Sequence, residues 1–214
     1  MRIQEFLTFV INSSNNMLTY LLQILLWIAY GSLHSMLASN KVKLFLSKTM
    51  GNSYRYYRLI YNLIAFVLLV ALLWYQQTMP FEILWDFDWR IDAFGNLMKY
   101  GGLLIAIIAL LGYDLWEFSG LKASSPLVNN EFRSGGLLGY VRHPLYTGTI
   151  LLVWGMFLED ASIRSLITAV CATIYILIGI VFEERKLVAE FGEKYLEYRN
   201  PSLDSAYLIY VLNQ

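Results

Sequence analysis

Two groups of charged residues, separated by about forty positions, have the residue types of a site for a small charged ligand. The first is the run RHPLYTG at residues 142–148, and the second is the pair Glu183-Glu184. Both groups border apolar runs, where an unpaired charge is expensive, so a polar ligand is their natural partner. We interpret the two groups as halves of one binding site.

Each half suits one charge of such a ligand. Pro144 fits the first turn of a helix, and the free N–H groups and dipole of that turn favour an anion. Arg142 adds a planar guanidinium that pairs with a carboxylate through two hydrogen bonds. Glu183 and Glu184 accept hydrogen bonds from hydroxyl or ammonium groups. The residues therefore predict an amino acid-like or nucleoside ligand that carries both kinds of charge.

Aromatic residues follow the acidic pair at helical spacing. Phe191, Tyr195 and Tyr198 are four and three residues apart, which predicts three rings on one face of a last helix that Pro201 ends. These rings either cover the pocket or simply pack. Gly148 allows another helix or a ligand to approach the backbone closely.

A histidine also lies far upstream, inside an apolar segment. His34 is expected to face the interior of the molecule, where it either packs or handles a substrate or proton. The nearby aromatic residues are interpreted as an interfacial belt. These are Tyr56, Tyr57, Tyr61 and Trp74.

Composition predicts an integral membrane protein. Hydrophobic residues make up 57% of the chain and charged residues 15%, against about 25% charged residues in soluble domains. The net charge of zero gives no reason to expect nucleic acid. One cysteine and two histidines are too few for a tetrahedral zinc site, so we expect no protein-bound metal.

Apolar segments predict an all-α membrane fold of about five transmembrane helices, each needing roughly 20 residues. The segments are residues 17–38, 59–75, 97–115, 144–158 and 163–182. The fourth is short, and the last two are expected to form a helical hairpin followed by a cytoplasmic C-terminal helix. An Asn- and Ser-rich stretch at residues 12–16 is a candidate cap for the first.

We expect one membrane domain, residues 1–214. Residues 1–115 should contain three spans, and residues 116–214 should contain a ligand-binding loop, the hairpin and the last helix. Twelve of the sixteen basic residues fall on one side of the predicted spans, Lys122 and Arg133 among them. Because Lys and Arg near span ends favour the cytoplasm, the N-terminus is expected outside and the C-terminus inside. Both charged groups then face the cytoplasm.

The last 80 residues or so resemble a family of membrane enzymes. The run at 142–148, Gly136 before it, and Glu183-Glu184 with the residues after them are similar to the isoprenylcysteine carboxyl methyltransferase and phospholipid methyltransferase superfamily. The resemblance implies S-adenosylmethionine as cofactor. Our candidate catalytic residues are Arg142, Glu184 and His34, the last from its position in an apolar segment rather than from the resemblance. The cofactor contacts it implies are Gly136, Arg142, His143, Pro144, Tyr146, Gly148, Glu183, Glu184, Leu187 and Tyr195.

The N-terminal segment is more loosely similar to a bacterial branch that contains methanethiol methyltransferase and NnrU-like proteins. This favours a bacterial inner membrane, with the bilayer and a hydrophobic or small-thiol methyl acceptor as partners. Prenylcysteine carboxylates and lipid amines stay open as acceptors. One departure is Leu138, where the family often has an aromatic residue. A non-catalytic accessory protein and an NADPH-dependent reductase of related fold are the alternative functions.

Overall fold

The computed structural model describes residues 3–86, 88–113, 115–119 and 134–199, with side chains described from residue 16 onward except at 117 and 118. These residues are helical and include no strand, which confirms the predicted all-α membrane fold. Their helices are α1 (Ile3–Ala38), α2 (Asn40–Met50), α3 (Tyr57–Gln77), α4 (Trp89–Leu111), α5 (Leu115–Ser119), α6 (Pro144–Asp160), α7 (Ile163–Phe191) and α8 (Glu193–Arg199).

Four stretches of the described chain are long and apolar enough to cross a membrane. They are Asn16–Ala38 in α1, Asn40–Gln77 with α3 as its apolar portion, Trp89–Leu111 and Ile163–Phe191. The predicted fourth span is the 17-residue α6, which is shorter than the roughly 20 residues a bilayer requires. The count of five spans is therefore not confirmed, although α6 and α7 do form the predicted hairpin.

Glycines allow α6 to pack directly on the backbone of α4. A Cβ atom added to Gly148 would lie 2.6 Å from the Gly102 carbonyl oxygen, and one added to Gly155 would meet the backbone of Gly95 and Lys99. Because Gly95 and Gly102 of α4, like Gly148 and Gly155 of α6, are seven residues apart, each pair falls on one face of its helix. This close contact holds the start of α6, and the charged run before it, in a fixed position.

Helix α7 is joined to α1 and α3 by buried polar side chains. Gln23 of α1 donates to the Thr168 hydroxyl at 3.1 Å, and that hydroxyl donates to Gln76 of α3 at 2.5 Å. A hydrogen bond inside an apolar bundle is costly to leave unmade, so these contacts fix the rotation of α7 about its axis.

Contacts made by the segment between α3 and α4 define one end of the bundle. Asn16 donates a hydrogen bond to Glu82, and Ile83 pairs with Ser162 of the turn between α6 and α7. Helix α6 begins at the opposite end, and the second half of α7 returns to it. Pro144 and Glu184 therefore belong to the same end.

Several local predictions were wrong. Residues 12–16 lie inside α1 and do not cap it. Helix α7 continues beyond the acidic pair to Phe191, and Gly192 at φ 55° interrupts the chain there. Phe191 and Tyr195 are therefore on different helices. Lys122, Arg133 and Pro201 lie outside the described residues.

Candidate functional site

The Glu184 carboxylate is the centre of a cluster drawn from three segments of the chain. Arg142 Nη1 donates to its two oxygens at 3.1 and 3.2 Å, and His143 Nε2 lies 2.8 Å from Oε1. The Tyr195 hydroxyl donates to the same oxygen at 2.7 Å. The structure thus brings both predicted charged groups into direct contact.

The backbone at the start of α6 explains how the cluster forms. Pro144 is buried at the first position of the helix, and His143 precedes it at φ −126° and ψ 66° without a side-chain cap. Because the His143 side chain does not cap its own helix, its ring is available to Glu184. The unbroken α7 supplies the carboxylate from the other side.

Only part of the Arg142 guanidinium bonds to Glu184. Its side chain is 10% exposed, and the salt bridge to Glu184 involves Nη1 alone. Its Nε atom is buried and has no hydrogen-bond partner among the described residues. A buried donor without an acceptor is unfavourable, so this edge of the guanidinium suits an anionic ligand.

Glu183 differs from its neighbour in exposure. Its side chain is 38% exposed against 16% for Glu184, and His143 Nδ1 lies 3.8 Å from its carboxylate. Tyr146, whose ring stacks on His143 at 5.7 Å, lies close enough to interact with this carboxylate. Glu183 is therefore the member of the pair that is open to a ligand.

Helix α8 closes the cluster on one side. Tyr195 is 2% exposed, and the Tyr198 hydroxyl donates to the Leu138 carbonyl at 2.5 Å. Burial and then the hydrogen bond to Glu184 raise the pKa of Tyr195, so that its hydroxyl stays protonated and donating at neutral pH. Of the three predicted rings, Tyr195 and Tyr198 contact this end of the bundle from α8.

The remaining predicted cofactor residues surround the cluster at different distances. Gly136 adopts φ 65° at the start of the turn Gly136–Gly139, a conformation that glycine allows without strain. Leu187 is half-buried one turn beyond Glu183. Gly148 is buried against the α4 backbone, so its missing side chain serves helix packing.

His34 is outside this cluster. Tyr61 of α3 contacts it with 2.7 Å between the hydroxyl and Nε2, and the ring of Tyr175 on α7 lies 6.0 Å away. Tyr61, interpreted as a belt residue, therefore contacts α1, and Tyr57, interpreted in the same way, is buried and its hydroxyl donates to the Leu37 carbonyl. Sequence reasoning missed Tyr175, and only its position inside an apolar segment pointed to it.

The fold and the two charged groups that meet at Glu184 define a helical membrane protein with a polar site at one end of its bundle. Residues 100–194, which contain both charged groups, match the family described as phospholipid methyltransferase. This confirms the resemblance that the sequence predicted. No solved structure matches the chain.

Relatives bear a more specific name. The chain is 31% identical over 150 residues to methanethiol S-methyltransferase of Pseudomonas deceptionensis, covering 66% of this chain and 56% of the relative. It is 29% identical over 189 residues to methanethiol S-methyltransferase 2 of Bradyrhizobium diazoefficiens, covering 84% and 70%. It is 31% identical over 152 residues to methanethiol S-methyltransferase of Mycobacterium tuberculosis, and the match covers 66% of this chain and 60% of that relative. The chain thus spans little more than half the length of some relatives.

Proposed function

We propose that the protein is an S-adenosylmethionine-dependent membrane methyltransferase. The observation that supports this best is the contact between Arg142 and Glu184, which creates a site with one cationic and one anionic side. S-adenosylmethionine carries a carboxylate and an ammonium group on the same carbon. The match of residues 100–194 to a methyltransferase family supports the same assignment.

The residues present fit this cofactor. The unpartnered Nε edge of Arg142 suits its carboxylate, and the more exposed carboxylate of Glu183 suits its ammonium group or ribose hydroxyls. His143 and Tyr146 form a stacked aromatic wall beside that carboxylate, and such a wall attracts a sulfonium or stacks on adenine. Glu184 keeps Arg142 and His143 in position.

Other contacts are proposed from the family resemblance. Pro144 leaves the first turn of α6 open to the cofactor, and Gly136 permits a close approach of the backbone before it. Leu187 provides apolar surface next to the charged groups, and the buried Tyr195 contributes through its hydrogen bond to Glu184. Gly148 contributes indirectly, because its packing on α4 fixes the position of α6.

The chemistry requires positioning and exclusion of water. When bound, the cofactor supplies an electrophilic methyl group on a positively charged sulfur. The side chains of the Glu184 cluster hold the cofactor at the end of the bundle where α6 begins. A nucleophile that enters from the bilayer reaches the cofactor there. Fixing the two reactants in line supplies about 7–11 kcal/mol, and a water-free pocket favours a step that neutralises opposite charges.

We propose a small thiol as the acceptor. The relatives named above are methanethiol S-methyltransferases, and this is the one acceptor that their names share. A prenylcysteine carboxylate or a lipid amine is the acceptor that the wider superfamily suggests. A thiol has to lose its proton before it reacts, whereas a carboxylate does not.

We also propose a location and an orientation. The site lies at the bundle end opposite the contact between Ile83 and Ser162. The distribution of Lys and Arg favours a site at the cytoplasmic face, with the N-terminus outside and the C-terminus inside. The looser resemblance of the N-terminal segment to a bacterial branch favours a bacterial inner membrane. Cofactor made in the cytoplasm then has direct access to Glu183 and Arg142.

The experiment that tests this function is methyl transfer by the purified protein in nanodiscs. Methyl-labelled S-adenosylmethionine is incubated with methanethiol, a prenylcysteine and phosphatidylethanolamine in separate reactions. We expect labelled dimethyl sulfide from the thiol and no labelled product from the other two. Tight S-adenosylhomocysteine binding without any product would instead indicate a non-catalytic accessory protein. Thermal stabilisation by NADPH alone would indicate a reductase.

A further inference from the structure

The short helix α2 differs from the two spans that it connects. The Ser39 side chain caps its start, and Gly51 at φ 51° ends it. Its 11 residues are too few to cross a bilayer. It lies at the bundle end that contains Glu184, because Lys186 of α7 is within electrostatic range of Lys43 on α2. A helix that returns the chain between two spans at this end lies at the membrane surface.

The face of α2 that is turned away from the protein combines lysines with large apolar side chains. Leu44 is 60% exposed and Phe45 is 65% exposed. Lys41 and Lys48 are exposed as well, and their spacing along the helix places them on the same face as the two apolar residues. At a bilayer surface such apolar side chains enter the acyl boundary, while the flexible lysine stems extend to the headgroups. The exposed face of α2 therefore suits a membrane surface better than water.

The connection from α1 to α3 carries charge of one sign only. Residues 39–58 contain five Lys and Arg residues and neither Asp nor Glu. Basic segments next to a span are attracted to the negative surface potential of anionic lipids, and this attraction falls off within a Debye length. A zwitterionic headgroup has no net charge to offer. The charge of this connection therefore favours anionic over zwitterionic phospholipids.

The inner face of α2 brings a third lysine towards the cations of two other helices. Lys43 is half-buried, and both Lys186 of α7 and Arg58 of α3 lie within electrostatic range of its ammonium group. Within the described part of the chain, Lys43 and Lys186 form no salt bridge. Like charges held together repel one another, so an anion among them lowers the energy. A lipid phosphate at the membrane surface is such an anion.

We propose that α2 is a docking surface for anionic phospholipid headgroups. One headgroup phosphate binds among Lys43, Arg58 and Lys186. Leu44 and Phe45 enter the bilayer beside it. Because Lys186 belongs to α7, the bound lipid ties α2 to the helix that carries the acidic pair. This inference goes beyond the proposed methyl transfer and does not depend on it.

The first test is the melting temperature of the purified protein in a neutral detergent as lipid is added. Phosphatidylglycerol should raise the melting temperature by about 2–4 °C. The shift should shrink when the salt concentration rises from about 0.1 M to about 0.5 M. Phosphatidylcholine and inorganic phosphate should leave the melting temperature unchanged. Equal shifts with the two lipids would overturn the proposal, and a shift with inorganic phosphate would show a site for a free anion instead.

Lys43→Gln separates lipid binding from folding, because the sign of its effect should differ between lipids. In phosphatidylcholine nanodiscs the variant should melt at or above the wild-type temperature, since a repulsion between like charges is removed. In phosphatidylglycerol nanodiscs it should melt below wild type. Arg90→Gln is the matched control, because Arg90 is an exposed cation at the start of α4, at the other end of the bundle, and this variant should melt as wild type does in both lipids. A decrease of the same size for Lys43→Gln in both lipids, or wild-type melting in phosphatidylglycerol, would contradict the proposal.

The position of α2 is tested with a nitroxide spin label attached to Phe45→Cys in a Cys171→Ser protein. Leu104→Cys is the reference, because Leu104 is 58% exposed within the spanning helix α4. In phosphatidylglycerol nanodiscs both labels should collide more often with dissolved oxygen than with a water-soluble nickel complex. If the label on α2 meets the nickel complex more often, this face lies in water and the proposal fails. The measurement uses no cofactor, so its result is distinct from a failure of the proposed methyl transfer.

Discussion

Arg142 and Glu184 are 42 positions apart in sequence, yet Arg142 Nη1 lies 3.1 and 3.2 Å from the two carboxylate oxygens. The arrangement uses one nitrogen of the guanidinium and leaves the buried Nε without a partner among the described residues. The neighbouring Glu183 is more exposed and contacts the cluster more loosely. The two glutamates therefore differ in their contacts: Glu184 holds the cluster together, and Glu183 is the one that we propose faces the ligand.

The two glutamates should differ in their effect on stability. Glu184→Gln removes the charge that compensates Arg142, whose side chain is 10% exposed, and should lower the free energy of unfolding by about 2 kcal/mol. Glu183→Gln should change it by less than about 0.5 kcal/mol. Thermal melting of both variants in the same detergent measures this difference. Equal melting temperatures for the two would argue against the assigned roles.

Tyr195 should stabilise the cluster through its hydroxyl. Tyr195→Phe removes a donor 2.7 Å from a carboxylate and should lower the free energy of unfolding by about 1.5–3 kcal/mol. Tyr140→Phe is the matched control because Tyr140 is 82% exposed, and its melting temperature should stay the same. If the two variants melt alike, the Tyr195 hydroxyl contributes nothing.

Tyr195 should also give a pH dependence to stability. Burial and the hydrogen bond to Glu184 raise the pKa of the folded-state hydroxyl above its unfolded value of about 10. The stabilisation is therefore complete below about pH 10 and is lost as the pH rises further. We expect the melting temperature of wild type to fall more steeply above pH 10 than that of Tyr195→Phe. Parallel curves for the two proteins would contradict the raised pKa.

The contact between α4 and α6 should not tolerate a methyl group. Gly148→Ala places a Cβ 2.6 Å from the Gly102 oxygen and 2.7 Å from the Ala106 nitrogen, so the helices must separate at a cost of about 1–3 kcal/mol. Gly101→Ala, on the same helix as Gly102, meets nothing within 4 Å and should be neutral or stabilising. The measurement is the melting temperature of each variant relative to wild type. A Gly148→Ala protein that melts at the wild-type temperature would disprove the close contact.

The sequence was sufficient to predict the membrane fold and the two charged groups, because apolar length and local charge are properties of short segments. It did not predict that Glu184 pairs with Arg142 while Glu183 stays open. That choice depends on the rotation of α7, which buried contacts such as Gln23 with Thr168 determine. The end of α7 at Gly192 was also missed, because Phe191, Tyr195 and Tyr198 keep helical spacing across a break.

The contact of His34 with Tyr61 was only half predicted for a similar reason. A tyrosine in an apolar segment has the same sequence pattern whether it faces lipid headgroups or a histidine on another helix. The position of Tyr61 opposite His34 follows from the packing of α3 on α1.

Titration of S-adenosylhomocysteine into the purified protein by calorimetry tests the central claim most directly. The Arg142 and Glu183 contacts proposed above predict saturable one-site binding to wild type, with at least about tenfold weaker binding in Glu183→Gln and in Arg142→Ala. The Tyr140→Phe control should bind as wild type does. Binding of equal strength in all four proteins, or no binding to wild type, would contradict the account.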